Sequence, residues 1–353
     1  MLISGPGRLL VAGTVFFLLS SSLTAAAQSR ALYMPVLEST DSADSKLTLA
    51  NPSLEPATVT LTARSYTGAT LQRPGIINPV SMTLPPSSSR ALRAREIFGA
   101  GISSGWAELQ TASPAVSGAF FLSDSKQTSM DGAELNSAPA SRLIFPKATT
   151  GILSANRLTI INTSDQAITR GSVLLFENSG RLVAQRDIAL PAFAGFSGMV
   201  PDLAAGLQSF EGYVVVDSNS TAGALIGFES YRGVRDIAVL AAIPDTARLR
   251  TGFLPQFANR AGYISTLVLV NYAGGMQTIT ARAAITDVNS NQGANTSLIT
   301  VQRALAAYER LEVRLDQLFG FNVDAAIASY VRFENLGAVN DPAYSKRRRQ
   351  TAR

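Results

Sequence analysis

The chain has 353 residues, 46% hydrophobic and 16% charged, with 27 Gly and 16 Pro, a balance that fits folded, turn-rich domains and excludes a disordered polar chain. It contains no cysteine and no histidine, which excludes disulfides, thiol nucleophiles, thiolate and imidazole metal sites and Ser-His-Asp catalysis. The net charge of +5 is concentrated in a tail: removing Lys346, Arg347, Arg348, Arg349 and Arg353 from 30 basic residues leaves 25 against 25 acidic ones, so the body is neutral and lacks the basic face of a nucleic-acid binder.

Residues 1–27 begin with a lone Arg8, continue through an apolar run from Leu9 to Leu19, and end in Ala25-Ala26-Ala27. That order predicts a signal peptide cleaved after Ala27. Ser20, Ser21, Ser22 and Thr24 interrupt the run too early for a membrane span. After the leader no window of 18 apolar residues appears, so the mature chain is expected to be secreted, periplasmic or at the cell surface, with no integral membrane segment. An exported chain without cysteine must be held together by core burial alone, a combination that points to a bacterial source.

Beyond the leader one five-residue idea is written three times: LTLAN at 47–51, LTIIN at 158–162 and LVLVN at 267–271. Each lies downstream of an apolar pair followed by proline, at Pro35, Pro146 and Pro255, and each proline stands 16 residues before its Asn51, Asn162 or Asn271. The prolines are 111 and 109 residues apart, the size of one immunoglobulin-type domain. The asparagines are expected to close their strands with Asx-type turns. Next comes a strand with one wet side: Val59, Leu61 and Ala63 alternate with Thr58, Thr60 and Thr62, with counterparts at 171–180 and 278–287. Turns follow at Thr67-Gly68, Ser179-Gly180 and Asn289-Ser290-Asn291. Short helices are expected before Gly99, Gly206 and Gly320, each glycine suiting a left-handed cap. A strand then opens at Trp106, Tyr213 or Tyr330. In the first two copies a hairpin partner is expected 15 residues later, at Phe121 and Phe228. The same count from Tyr330 runs through Asn340, Asp341 and Pro342, a poor strand, so the last copy is expected to lack its closing strand and to expose an edge.

The strand pair LTLANPSLEPATVTLTA, the helical REIFG and the hairpin-like SGWAELQTASPAVSGAFF together resemble the tandem immunoglobulin-like sandwich repeats of secreted and surface proteins of bacteria, over residues 31–345. The resemblance carries no catalytic motif. It implies an all-β chain of three tandem antiparallel β-sandwich modules, each with one short helical crossover. The expected division is signal peptide 1–27, modules at 28–140, 141–247 and 248–345, and a basic disordered tail at 346–353. By fold-level analogy alone it implies adhesive, structural or carbohydrate-associated roles.

Several local strings imitate chemistry. GISSG at 101–105 matches the nucleophile elbow around Ser103, yet precedes a strand in a chain without histidine. Ser123 and Lys126 match S-x-x-K, which belongs at a helix start and here ends a strand. Asp287, Asn289 and Asn291 alternate as calcium-loop ligands do, but the glycine falls one place late and Leu298 stands where a bidentate Glu is needed. A turn is therefore the plainer reading of that stretch, with a calcium site as the alternative. Trp106 is the one tryptophan and aligns with Tyr213 and Tyr330, which favours a repeated core or rim position over an exposed glycan platform. Asn162, Asn219 and Asn295 head glycosylation sequons that would stay bare in a bacterium.

The expectation is a non-enzymatic protein without cofactor, acting as an adhesion, binding or scaffold component. Its expected partners are an envelope protein or polysaccharide, and a second copy through the edge of the third module. Glycan recognition by a module loop or aromatic face is the alternative. A hydrolase built on two carboxylates about 5–9 Å apart is a further one.

Overall fold

A computed structural model describes residues 29–335 except 42, 125–129, 151–155, 204–205, 208, 221–222, 233–236, 247–250, 255–264, 288–294 and 321–327. The described chain is mostly β, with several antiparallel sheets and three short helices, and is compatible with a β-sandwich fold. The expected leader, the basic tail and the closing strand of the last copy lie outside the described residues.

In chain order the first stretch forms β1 (Arg30–Met34), β2 (Ala43–Asn51), β3 (Ala57–Arg64), β4 (Val80–Leu84), β5 (Ser88–Arg93), α1 (Ala94–Phe98), β6 (Trp106–Thr111), β7 (Ser117–Asp124) and β8 (Met130–Glu134). One sheet has the order β1-β6-β3-β4 and the other β5-β2-β7-β8. Between them lies one apolar cluster that includes Leu47, Val59, Leu61, Leu109 and Phe120. The period-two reading of β3 holds: Ala57, Val59, Leu61 and Ala63 are buried, while the residues between them are exposed or half-buried.

The central stretch forms β9 (Arg142–Thr149), β10 (Asn156–Asn162), β11 (Ile168–Glu177), β12 (Leu182–Leu190), β13 (Gly195–Met199), α2 (Val200–Leu203), β14 (Glu211–Asp217), β15 (Leu225–Arg232), β16 (Ile237–Ala241) and β17 (Ile243–Pro244). Its sheets run β12-β11-β14-β9-β17 and β13-β10-β15-β16, repeating both earlier strand orders with β17 added. The last stretch forms β18 (Thr251–Leu254), β19 (Thr266–Val270), β20 (Gln277–Asp287), β21 (Asn295–Leu305), β22 (Arg310–Arg314), α3 (Leu315–Phe319) and β23 (Ala328–Asn335). The order β18-β23-β20-β21 repeats the first sheet again, and β19-β22 repeats β2-β5.

Two expectations need correction. The segments opening at Trp106 and Tyr213 do not pair with the strands that follow them. β6 pairs β1 and β3, whereas β7 pairs β2 and β8, so the β6–β7 link crosses from one sheet to the other. The same holds for β14 and β15. Alternation looks the same whichever sheet a strand joins, which is why spacing alone suggested a hairpin. Nor does β11 have a wet side: Val173 and Leu175 enter one apolar cluster while Leu174 and Phe176 enter another. From Gly171 to Glu177 both faces are covered by protein, with Thr169 and Arg170 exposed at the start of the strand.

The helix ends divide. Gly320 follows α3 in the left-handed region, at φ 69° and ψ 31°, and its N–H donates to the Asp316 carbonyl. Gly99 follows α1 at φ 102° and ψ 172°, outside that helical basin. At the other end of α1 the Glu96 carboxylate accepts the Arg93 N–H at 2.8 Å, satisfying one of the donors a helix start leaves open.

Candidate functional site

The repeated asparagines are structural. Asn51, Asn162 and Asn271 are all buried. Asn162 Oδ1 accepts the Ser164 N–H at 3.1 Å, the expected Asx contact. Its amide also donates to the carbonyls of Gln166, Leu190 and Pro191 at 2.8, 3.3 and 3.0 Å. Asn51 makes the same set with Glu55, Leu84 and Pro85, and Asn271 donates to Gly275, Leu305 and Ala306. Each thereby ties the turn after its strand to the end of a strand some thirty residues later. Asn162, fully engaged and solvent-free, cannot carry a glycan.

Two seams join the sheet pairs, and they use equivalent positions. At the first, Trp106 is 0% exposed and its indole N–H donates to the Phe193 carbonyl at 3.1 Å. Tyr33, Ile161 and Ile226 complete that apolar patch. Phe193 sits at positive φ in the β12–β13 turn, and the Arg64 guanidinium lies 4.1 Å from its ring centroid. At the second seam Tyr213 is 0% exposed and its hydroxyl donates to the Tyr308 carbonyl at 2.9 Å. Tyr308 is again a positive-φ residue, in the β21–β22 turn. Phe176, which holds the Arg64 position, stacks on Tyr213 at 5.0 Å and on Tyr308 at 5.7 Å. One main-chain bond also recurs: the Gly195 N–H donates to the Tyr66 carbonyl, and the Arg310 N–H to that of Asn178.

The turn glycines follow from this closeness. A Cβ on Gly68 would lie 2.4 Å from the Ala192 carbonyl oxygen, and one on Gly180 would lie 2.5 Å from that of Ala307. Each β-turn of one sheet pair is thus pressed against backbone of the next.

No protein-family model matches this chain, and no curated protein does. What it does must be read from its own side chains, and one group of charges among the described residues lies beside the second seam. Glu229 occupies the core slot that Phe120 fills in the first sheet pair, as the β10–β15 and β2–β7 registers show. It is 0% exposed, and burial pushes its carboxyl up to about 8. Asn156 donates to it at 3.0 Å and also to the Lys147 carbonyl, which the Tyr231 hydroxyl contacts as well. From the third sheet pair the buried Arg310 reaches back to the Pro146 carbonyl at 2.6 Å and to Asn178 at 2.7 Å, and pairs with Glu312. Burial raises Glu312, but hydrogen bonds from Lys147 and Arg310 outweigh it and hold the carboxyl low. Lys147 and Glu312 bridge the seam at 2.7 Å. A neutral acid, an ionised acid and two cations thus stand together: Glu229 and Arg310 are buried, Lys147 and Glu312 are partly exposed, and Glu229 Oε1 has no hydrogen-bond partner among the described residues.

The other sequence-derived sites separate. Ser103 lies exposed in the loop before β6, with no helix following it. Ser123 is buried in β7, donating to the Asp44 carbonyl at 3.2 Å, and Lys126 lies outside the described residues. Asp287 ends β20, paired in register with Asn295, while Asn289 and Asn291 lie outside the described residues. Trp106 is no exposed platform. Neither the seams nor the Glu229 network was visible in the sequence, although aligning Glu229 with Phe120 would have marked an acid in a core slot.

Proposed function

We propose that the chain is an exported, non-catalytic protein of tandem immunoglobulin-like β-sandwich modules, acting at the surface or outside the cell as an adhesion, binding or scaffold component. The observation that carries this reading is the repeated seam. An aromatic donor at the start of β6 or β14 meets the carbonyl of a positive-φ turn residue in the next sheet pair, at 3.1 Å and 2.9 Å. The buried aromatic side chains at these two positions join one module to the next. A joint that recurs between successive modules suits a protein that holds or presents its surfaces at a distance. The signal-peptide pattern of residues 1–27 supports export.

Fractionation of cells making the full chain tests this reading. The expected result is a product shortened by the leader and recovered outside the cytoplasm, with deletion of residues 2–27 confining it inside. A full-length cytoplasmic product would overturn it.

A further inference from the structure

The position that closes each seam exists a third time, uncovered. Register places Tyr330 with Trp106 and Tyr213, and Phe253 with Tyr33 and Ile144. The first four are at most 8% exposed because the following sheet pair covers them, whereas Tyr330 is 47% and Phe253 61% exposed. Arg332 lies over the Phe253 ring at 5.8 Å and pairs with Glu334, so charge is satisfied around the two rings.

The opposite end of the molecule carries the matching half. The β4–β5 turn has the same build as the turns that receive Trp106 and Tyr213. Ser87 holds the Phe193 and Tyr308 position, is likewise at positive φ, and its N–H donates to the Ser53 carbonyl as Phe193 donates to Ser164 and Tyr308 to Ala273. Around it Pro52, Pro85 and Pro86 are exposed, and Leu54 is 84% exposed. Ser87 contributes no ring, and Ala50 replaces the Ile161 and Val270 that fill the inner seams, so the joint is weaker than those within the chain. The main-chain acceptor and the apolar rim remain.

We propose that Phe253 and Tyr330 dock onto the Ser87 turn of a second copy of this chain, so that copies join head to tail by the contact that already joins the sheet pairs. This rests on the module reading above and specifies its partner. Such an interface pairs two different surfaces and does not close on itself, so it propagates into chains of copies.

Sedimentation of the full chain across the micromolar range tests the proposal, with two surface variants. Phe253→Ser/Tyr330→Ser blunts one end. Leu54→Lys/Ser87→Lys blocks the other, at a backbone angle that already accepts Phe and Tyr in the sister turns. Wild type is expected to grow beyond dimers with concentration. Each variant alone is expected to stay monomeric, with self-association weakened about tenfold or more, and an equal mixture to stop at dimers, since only one good joint remains.

Assembly of the Leu54→Lys/Ser87→Lys chain as far as wild type would overturn the head-to-tail joint in favour of a face-to-face one. A wild type monomeric throughout would overturn it outright. If that monomer bound insoluble polysaccharide through Tyr330, the face would belong to a glycan. If it assembled only after removal of residues 336–353, the face would belong to the tail. Unchanged circular dichroism of both variants separates loss of the joint from loss of the fold, and export by fractionation stands or falls independently.

Discussion

The two seams solve one packing problem with different side chains. At the first, a cation lies between an indole and a phenyl ring; at the second, the equivalent slot holds Phe176 between two phenols. What stays constant is the polar bond beneath: a ring N–H or O–H aimed at the carbonyl of a positive-φ turn residue. Stacking tolerates exchange because both a guanidinium and a ring satisfy an aromatic face. A buried indole or phenol donor without an acceptor is far less tolerable, so the donor–acceptor pair keeps its geometry. The seams also differ in depth. The second adds the Lys147–Glu312 bridge and the buried Arg310, beside a core position where Glu229 replaces Phe120.

The comparison can be broken most forcefully at the donor. Trp106→Ala is expected to cost about 3–5 kcal/mol in chemical denaturation, from the emptied indole site and the orphaned Phe193 carbonyl. Tyr330→Ala, at the uncovered equivalent, is expected to stay within about 0.5 kcal/mol. Similar costs at both positions would show that the seam does not decide the value of the ring.

The depth of the second seam predicts a pH dependence. Below the ordinary glutamate value of 4.5, Glu229 is protonated in both folded and unfolded chains. Between there and about 8 the unfolded chain loses the proton while the folded one keeps it. The folded state then binds more protons, so its contribution to stability falls as pH rises, by up to about 1.4 kcal/mol per pH unit, and levels off above the folded value. Glu229→Gln is expected to flatten this slope in pH-dependent melting curves. An unchanged slope would mean that another group carries it.

The asparagine ties sharpen the contrast between what varies and what repeats. Asn162→Ala is expected to cost about 2–4 kcal/mol, since it frees the carbonyls of Gln166, Leu190 and Pro191 at once. Asn51→Ala should match it, and a large disparity between the two would argue that the copies are not energetically equivalent. The smallest effect is expected for Tyr213→Phe, which keeps the stack on Phe176 and loses one hydrogen bond, about 1 kcal/mol by the same measurement.

Much of the fold was legible in particular residues. The alternation of Val59, Leu61 and Ala63 with threonines placed β3 with one buried face, because a strand turns every second side chain the same way. The threefold Asn and the aligned Trp106, Tyr213 and Tyr330 were legible as repeated positions. Their roles were not. Nothing in the string around Trp106 says that its indole meets a carbonyl 87 residues away, or that β6 and β7 lie in different sheets. MDGAE and IAVLA, which become β8 and β16, are too short or too plain to announce strands beside β7 and β15.

By itself, then, the order of residues determined strands such as β3, several turns, the recurrence of the Asn-closed strings and the absence of cysteine and histidine chemistry, because these depend on neighbours two to sixteen places apart and on which side chains exist at all. Only the tertiary structure decided which faces are covered, which strands share a sheet and where an acid stays neutral. Those outcomes are set by groups brought together from distant parts of the chain, where burial and close contact, not spacing, determine the free energy.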